Sequence, residues 1–119
     1  MINYSPILVK KLKEINGLRV VPHYPTIEAK LPVVGYMEES NIPFAITNEG
    51  EELTKLMYKL DFFSESSEGD FINKINEAMT SLGFKRIFFT DAPEKGNLIH
   101  KVFRYEIIVD KNLKQSYHS

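Results

Sequence analysis

The feature that most constrains this chain is a change of period at Gly83. From Gly69 to Leu82 the apolar residues Phe71, Ile72, Ile75, Ala78, Met79 and Leu82 recur every three or four positions, which places them on one stripe of an α-helix. Asn73, Lys74, Asn76, Glu77 and Thr80 take the other face. Ser66 to Asp70 offers capping side chains and acidic groups near the positive end of the helix dipole, and Gly83 stands where a left-handed residue commonly ends a helix. Beyond it the period is two. Ile87 and Phe89 alternate with Arg86, Phe88 and Thr90. In the next run Ile99, Phe103, Tyr105, Ile107 and Val109, interrupted by Lys101, alternate with His100, Val102, Arg104, Glu106 and Ile108. Asp91 to Asn97 between them is rich in turn formers, so the stretch reads as helix, stop and β-hairpin.

The rest of the chain supplies partners for that unit. Ser5-Pro6 predicts a helix start, with serine as cap and proline at the first helical position. Ile7, Leu8, Leu12 and Ile15 form its apolar stripe, and Gly17 is placed to end it. Leu18 to Val21 fits a brief strand. Pro22, Pro25 and Pro32 argue for extended, edge-like chain over residues 22–32. Val33 to Glu38 resumes strand character, and Glu39 to Glu52 reads as polar and turn-rich apart from Phe44 and Ile46. Leu53 to Phe63 satisfies two templates. Leu53, Leu56 and Leu60 have helical spacing, whereas Leu56, Tyr58, Leu60 and Phe62 alternate with Lys55, Lys59 and Asp61; the aromatic content favours a strand.

Two helices with one apolar stripe each must bury those stripes against the sheet. The expected fold is therefore α+β and two-layered, a mainly antiparallel four- to five-stranded sheet with both helices on one face. Residues 1–110 would form a single domain and residues 111–119 a polar tail expected to be mobile. On the face without helices, Met57, Phe63, Phe88, Val102 and Ile108 would form an apolar strip large enough to favour an oligomer.

Composition narrows the chemistry. The chain has 119 residues, 15 basic against 16 acidic side chains and a net charge of −1, which lacks the footprint of a dedicated nucleic-acid binder. There is no cysteine, hence no disulfide or thiolate chemistry, and no apolar run approaches the length of a membrane span or a signal peptide; a cytoplasmic protein is expected. His23, His100 and His118 are not at metal-binding spacing, and His100 pairs most simply with Asp91 across the hairpin. No glycine-rich phosphate cradle and no nucleophile motif is present. The expectation is no cofactor, no metal and no enzymatic activity. Arg86 and Arg104 among Phe88, Phe89, Phe103 and Tyr105 suggest sheet-based RNA recognition as an alternative, though the RNP signature is absent; a small-molecule enzyme is the remaining one.

Taken together, the Ser5 to Ile15 helix, Tyr24-Pro25-Thr26 with Pro32-Val33-Val34-Gly35-Tyr36, the Leu56 to Phe63 strand, Ile75 to Ala78 with Leu82-Gly83-Phe84, and the hairpin ending Tyr105 to Asp110 resemble the tail terminator and head-to-tail joining family of long-tailed phages and prophages. The resemblance covers nearly the whole chain and rests on order and spacing. It implies a structural protein that forms a ring, usually a hexamer, on the end of the tail tube and offers a docking surface to the head connector. It also implies assembly in the host cytoplasm and a final place in the virion tail. Its expected partners are its own copies, tail-tube protein and a connector or neck protein, with no membrane and no specific nucleic acid. Sheet edges and the 41–52 and 91–98 loops are expected to make the contacts, through Phe44, Ile46, Glu49, Glu51, Phe63, Phe88, Lys95, Asn97 and Val102.

Overall fold

The computed structural model describes residues 3–26, 30–46, 52–65, 69–110 and 116–117. Its elements are α1 (Ser5–Lys13), β1 (Arg19–Pro22), β2 (Val33–Ile46), β3 (Glu52–Ser64), α2 (Gly69–Ser81), β4 (Lys85–Ala92), β5 (Ile99–Asp110) and β6 (Ser116–Tyr117). The fold is α+β. The sheet runs β1-β2-β3-β5-β4, and β6 adds to the end of β5. Every pair is antiparallel except β1 with β2, which is parallel, so the sheet is mixed. Among the described residues no helix is long and apolar enough to cross a membrane.

The period switch at Gly83 has a physical basis. Gly83 has φ +99°, its N–H donates to the Thr80 carbonyl at 3.0 Å, and the Phe84 N–H donates to Met79 at 3.1 Å. That pair of bonds is a Schellman closure, which satisfies the last carbonyls of α2 and turns the chain directly into β4. Phe84 is thereby driven into the core, where it meets Tyr4 edge-on at 5.6 Å, Tyr58 at 5.8 Å and Tyr105 at 6.4 Å. One cluster joins Leu8 and Leu12 of α1, Ile75 and Met79 of α2, and Leu56, Leu60, Phe103 and Ile107 of the sheet, so both helices cover the same face. Tyr58 and Tyr105 keep their hydroxyls paired inside it. The Tyr58 hydroxyl lies 3.0 Å from that of Ser5 and donates to Glu38 at 3.4 Å, while Tyr105 donates to Asn76 at 2.9 Å.

Several local expectations are corrected. Ser5 is not the cap of α1: Tyr4 holds that position without a side-chain bond, because the Ser5 hydroxyl is turned to Tyr58. The Glu39–Glu52 stretch is not all turn, since β2 runs through to Ile46. Pro43 is tolerated there because β1 pairs only with Val33–Tyr36, leaving the rest of β2 an edge strand, and the ladder is irregular at Pro43/Ala45. A bulge between Arg86 and Phe88 breaks the simple alternation of β4: Arg86 pairs with Tyr105, Phe88 with Arg104 and Phe89 with Phe103. The strand expected over Leu53–Phe63 is present as β3, whereas Ser116–Tyr117 of the tail pairs with Val109 and Ile108.

The parallel β1–β2 pair requires a return crossing, and residues 23–26 make it on the face opposite the helices. His23, at φ +60°, donates its N–H to the Tyr36 carbonyl at 2.7 Å, and the chain then passes over Gly35. A Cβ at Gly35 would lie 2.1 Å from the His23 carbonyl oxygen and 2.7 Å from Pro25 Cδ, so only glycine admits the crossing. Gly35→Ala is expected to lower stability by about 1–3 kcal/mol, by forcing the 23–26 segment off the sheet; an unchanged denaturation midpoint would contradict the crossing.

The core tyrosines set an alkaline limit. Burial, more than the opposing Ser5 hydrogen bond, pushes the Tyr58 phenol from 10.0 up to about 12. The folded state holds a proton that the unfolded chain releases, so this stabilisation is intact below about pH 10 and is lost as the pH rises through about 12. Burial raises Tyr105 in the same direction. Denaturant titrations should show stability falling across that window, with tyrosinate absorbance appearing on unfolding.

Candidate functional site

Two features of the sheet have the chemistry of a site, the first on the face opposite the helices and the second along the β4 edge. The first is built on His100, which the register of β5 places beside Phe63 of β3 and Ala92 of β4. The imidazole stacks on the Phe63 ring at 4.1 Å, and Tyr24 from the crossing segment closes edge-on against both rings at 5.4 and 5.9 Å. Its Nε2 lies 2.7 Å from Asp61 Oδ1, and both side chains are buried; its Nδ1 lies 3.1 Å from Glu94 Oε1 in the β4–β5 turn. The second Asp61 oxygen faces Lys59 Nζ at 3.7 Å. A groove of about 250 Å³ opens beside the cluster, walled by Tyr24, Pro25, Leu31, Val33, Phe63 and Leu98, with Glu94 at its margin. Partial burial, followed by the Glu94 and Asp61 carboxylates, raises the Tyr24 phenol above its ordinary range.

This geometry holds rather than reacts. A histidine acting as a general base needs one nitrogen open to the reactant, and here each nitrogen faces a carboxylate. The same opposition keeps the three groups from converging on one ion, and among the described residues no group of three histidine, aspartate or glutamate side chains is arranged to hold a metal. What the cluster does is tie β3, β5, the β4–β5 turn and the Tyr24 segment together at one end of the sheet. The expected His100–Asp91 pair is not formed, because Asp91 is engaged by Lys101. The partners of His100 lie 39 positions away in β3 and in the turn. The sequence did contain a signal: Asp61 is an acid in the run Leu60-Asp61-Phe62-Phe63, and a carboxylate there needs a partner.

The second feature is the β4 edge. β4 ends the sheet, every residue from Lys85 to Asp91 is exposed, and Ile87, Phe88 and Phe89 stand 40, 43 and 39% exposed. The Arg104 guanidinium lies 5.2 Å from the Phe88 ring on one face, while Arg86 and Lys101 lie 5.8 and 6.0 Å from Phe89 on the other. Bases stack on rings that share a face, and these two do not. Arg104 is also held by Glu39, to which its Nε–H donates at 3.1 Å.

The expected apolar strip is corrected by the same register. Met57, Phe63, Phe88, Val102 and Ile108 do share the face away from the helices. Phe63, Val102 and Ile108 are nevertheless buried, so Phe63 and Val102 are not available as contact residues. Long cationic side chains lie along this face and are held by carboxylates: Lys55 by Glu106 at 3.1 Å, Lys59 by Asp61 and Arg104 by Glu39. Tyr24 covers Phe63 in addition. Of the other expected contact residues, Phe88 is exposed on β4, and Lys95 and Asn97 are exposed in the β4–β5 turn. Phe44 and Ile46 belong to the end of β2, their side chains lying outside the described residues, as do Glu49 and Glu51 altogether.

His100→Ala would leave the Asp61 carboxylate buried without its closest partner and should cost on the order of 3 kcal/mol. Glu94→Ala removes the more exposed partner and should cost less than about 1 kcal/mol, while speeding amide exchange in residues 93–98. Equal effects of the two substitutions on stability would contradict the clip.

Neither a protein-family model nor a curated protein matches this chain.

Proposed function

We propose that this chain is a structural protein of a long-tailed phage or prophage particle, a tail terminator that forms a ring on the end of the tail tube and presents a joining surface to the head connector. The observation that carries this reading is a contrast. The buried histidine cluster has both ring nitrogens engaged, whereas a complete edge strand bearing three large apolar side chains is left in water. Such a subunit works by surface contact. The resemblance to the tail terminator family adds the kind of contact, a heterologous interface that closes by rotation, with six subunits implied.

The elongated subunit, 55 × 25 × 23 Å, suits a ring in which one end meets the tube and the other the head. The long β2–β3 hairpin leads to one end, and the β4–β5 turn with Lys95 and Asn97, fixed by the Glu94–His100 contact, lies towards the other. Under this reading subunits assemble in the host cytoplasm and end in the virion tail.

Mixing the purified protein with polymerising tube protein of the same particle tests the reading. Negative-stain images should show six-fold rings on tube ends, and tube growth should stop at sub-stoichiometric amounts. Continued growth with bare ends would overturn it. Steep salt-dependent binding to single-stranded RNA, with no effect on tubes, would favour the RNA-binding alternative.

A further inference from the structure

The number of hydrogens on the His100 ring decides which of its two contacts can form. Nε2 faces Asp61 Oδ1 at 2.7 Å and Nδ1 faces Glu94 Oε1 at 3.1 Å. A carboxylate only accepts, so each contact needs its own hydrogen, and a neutral imidazole carries one.

The two contacts are not equal. Asp61 and His100 are buried on neighbouring strands, and the second Asp61 oxygen faces Lys59 at 3.7 Å. Phe63, stacked on the ring at 4.1 Å, and Tyr24, edge-on at 5.9 Å, hold the imidazole in place. With a single ring hydrogen the Nε2–H therefore stays on Asp61, because the alternative sets a bare nitrogen against a buried carboxylate. Nδ1 and Glu94 then meet lone pair to lone pair. Glu94 sits in the β4–β5 turn with its side chain 27% exposed, so it is the partner that can move into water.

No neighbouring charge replaces the missing hydrogen. Asp91 and Lys101 pair with each other on the opposite face of the sheet, and Lys59 is on Asp61. The Tyr24 phenol, raised by burial and then by Glu94 and Asp61, stays neutral. Lys95 is exposed in the turn, and among the described residues His100 is the one basic side chain within ion-pair distance of Glu94.

We infer that the Glu94–His100 contact is a proton-operated latch: an imidazolium bridges the two carboxylates and docks residues 93–98, and loss of the Nδ1 hydrogen frees the turn while the Asp61 bond keeps β3 and β5 clipped. The docked state binds one proton more than the released state, so acid favours docking and rising pH favours release. Glu94 and Leu98 move together, which opens the groove they share with Tyr24 and Phe63. The inference concerns the protein by itself and does not rest on the tail reading. If both hold, Lys95 and Asn97 are presented in fixed form only on the acid side of the transition.

Nitrogen-15 NMR of the full chain between about pH 5 and 8, the range in which histidine changes charge, tests it. The His100 ring shifts should report both nitrogens protonated at the acid end and an Nε2–H tautomer with a bare Nδ1 at the alkaline end. Backbone order parameters of Lys95, Gly96 and Asn97 should fall from about 0.85 to below about 0.6 across the same transition, while those of Asp61 and Phe63 stay unchanged. Glu94→Gln separates the latch from ordinary packing. A carboxamide accepts from an Nδ1–H or donates to a bare Nδ1, so the turn should remain ordered at both ends of the range. Glu94→Ala should leave it mobile at both, with circular dichroism confirming that the two variants fold. A turn equally ordered on both sides of the ring transition, a ring that keeps one protonation state throughout, or a Glu94→Gln protein with the wild-type pH response would each overturn the inference.

Discussion

The structure depends on Phe84. It follows the glycine that ends α2, begins the path into β4, and touches Tyr4 ahead of α1, Tyr58 in β3 and Tyr105 in β5. A single ring thus receives contacts from the N-terminal segment and from β3 and β5. These edge-on arrangements favour the ring quadrupoles and fix the angle at which the helices lie on the sheet. The hydroxyls of Tyr58 and Tyr105 find partners in Ser5, Glu38 and Asn76, so the centre of the core is aromatic without leaving a polar group unpaired.

The other side of the sheet solves a different problem. Without a helical layer, apolar residues there must be covered by what the sheet itself carries. Lysine and arginine stems extend over it, and Glu39, Asp61 and Glu106 hold their charged ends in place. At one end the 23–26 segment completes the cover by passing over Gly35, and His100 anchors it between two carboxylates. The polar chemistry of this face is spent on holding its own shape. Single apolar side chains remain in water at Ile7, Tyr24, Met37 and Ile42, but among the described residues three in succession do so only on β4, which is why contact with other chains is proposed there.

Much of this was legible in the sequence. Both helices, their stripes, the Gly83 stop, the β3 strand and the hairpin follow from periodicity and turn chemistry, and alternation along β5 assigns residues to the two faces correctly, although His100, Val102 and Ile108 of the face away from the helices are buried as well. The missed features are those that depend on pairing at a distance. Ser5 has the residue type of a cap, yet a tyrosine 53 positions away takes its hydroxyl. Pro43 argues locally against a strand, but an edge position removes the penalty. The bulge after Arg86 shifts the phase of β4 by one residue, which no alternation count anticipates. Asp61 signalled a partner without naming His100, and Phe63 is covered by Tyr24 from the crossing segment.

The central claim is that this protein acts through its β4 edge while the His100 cluster serves as a fixed internal clip. Amide hydrogen exchange, followed as the protein is concentrated and as tube protein is added, tests it most directly. Outward-facing amides of Lys85–Ala92 should gain protection on assembly, while those around Asp61 and His100 stay slow and unchanged. Protection appearing at the Tyr24–Glu94 groove with β4 unaltered would contradict the claim and move the functional surface to the groove.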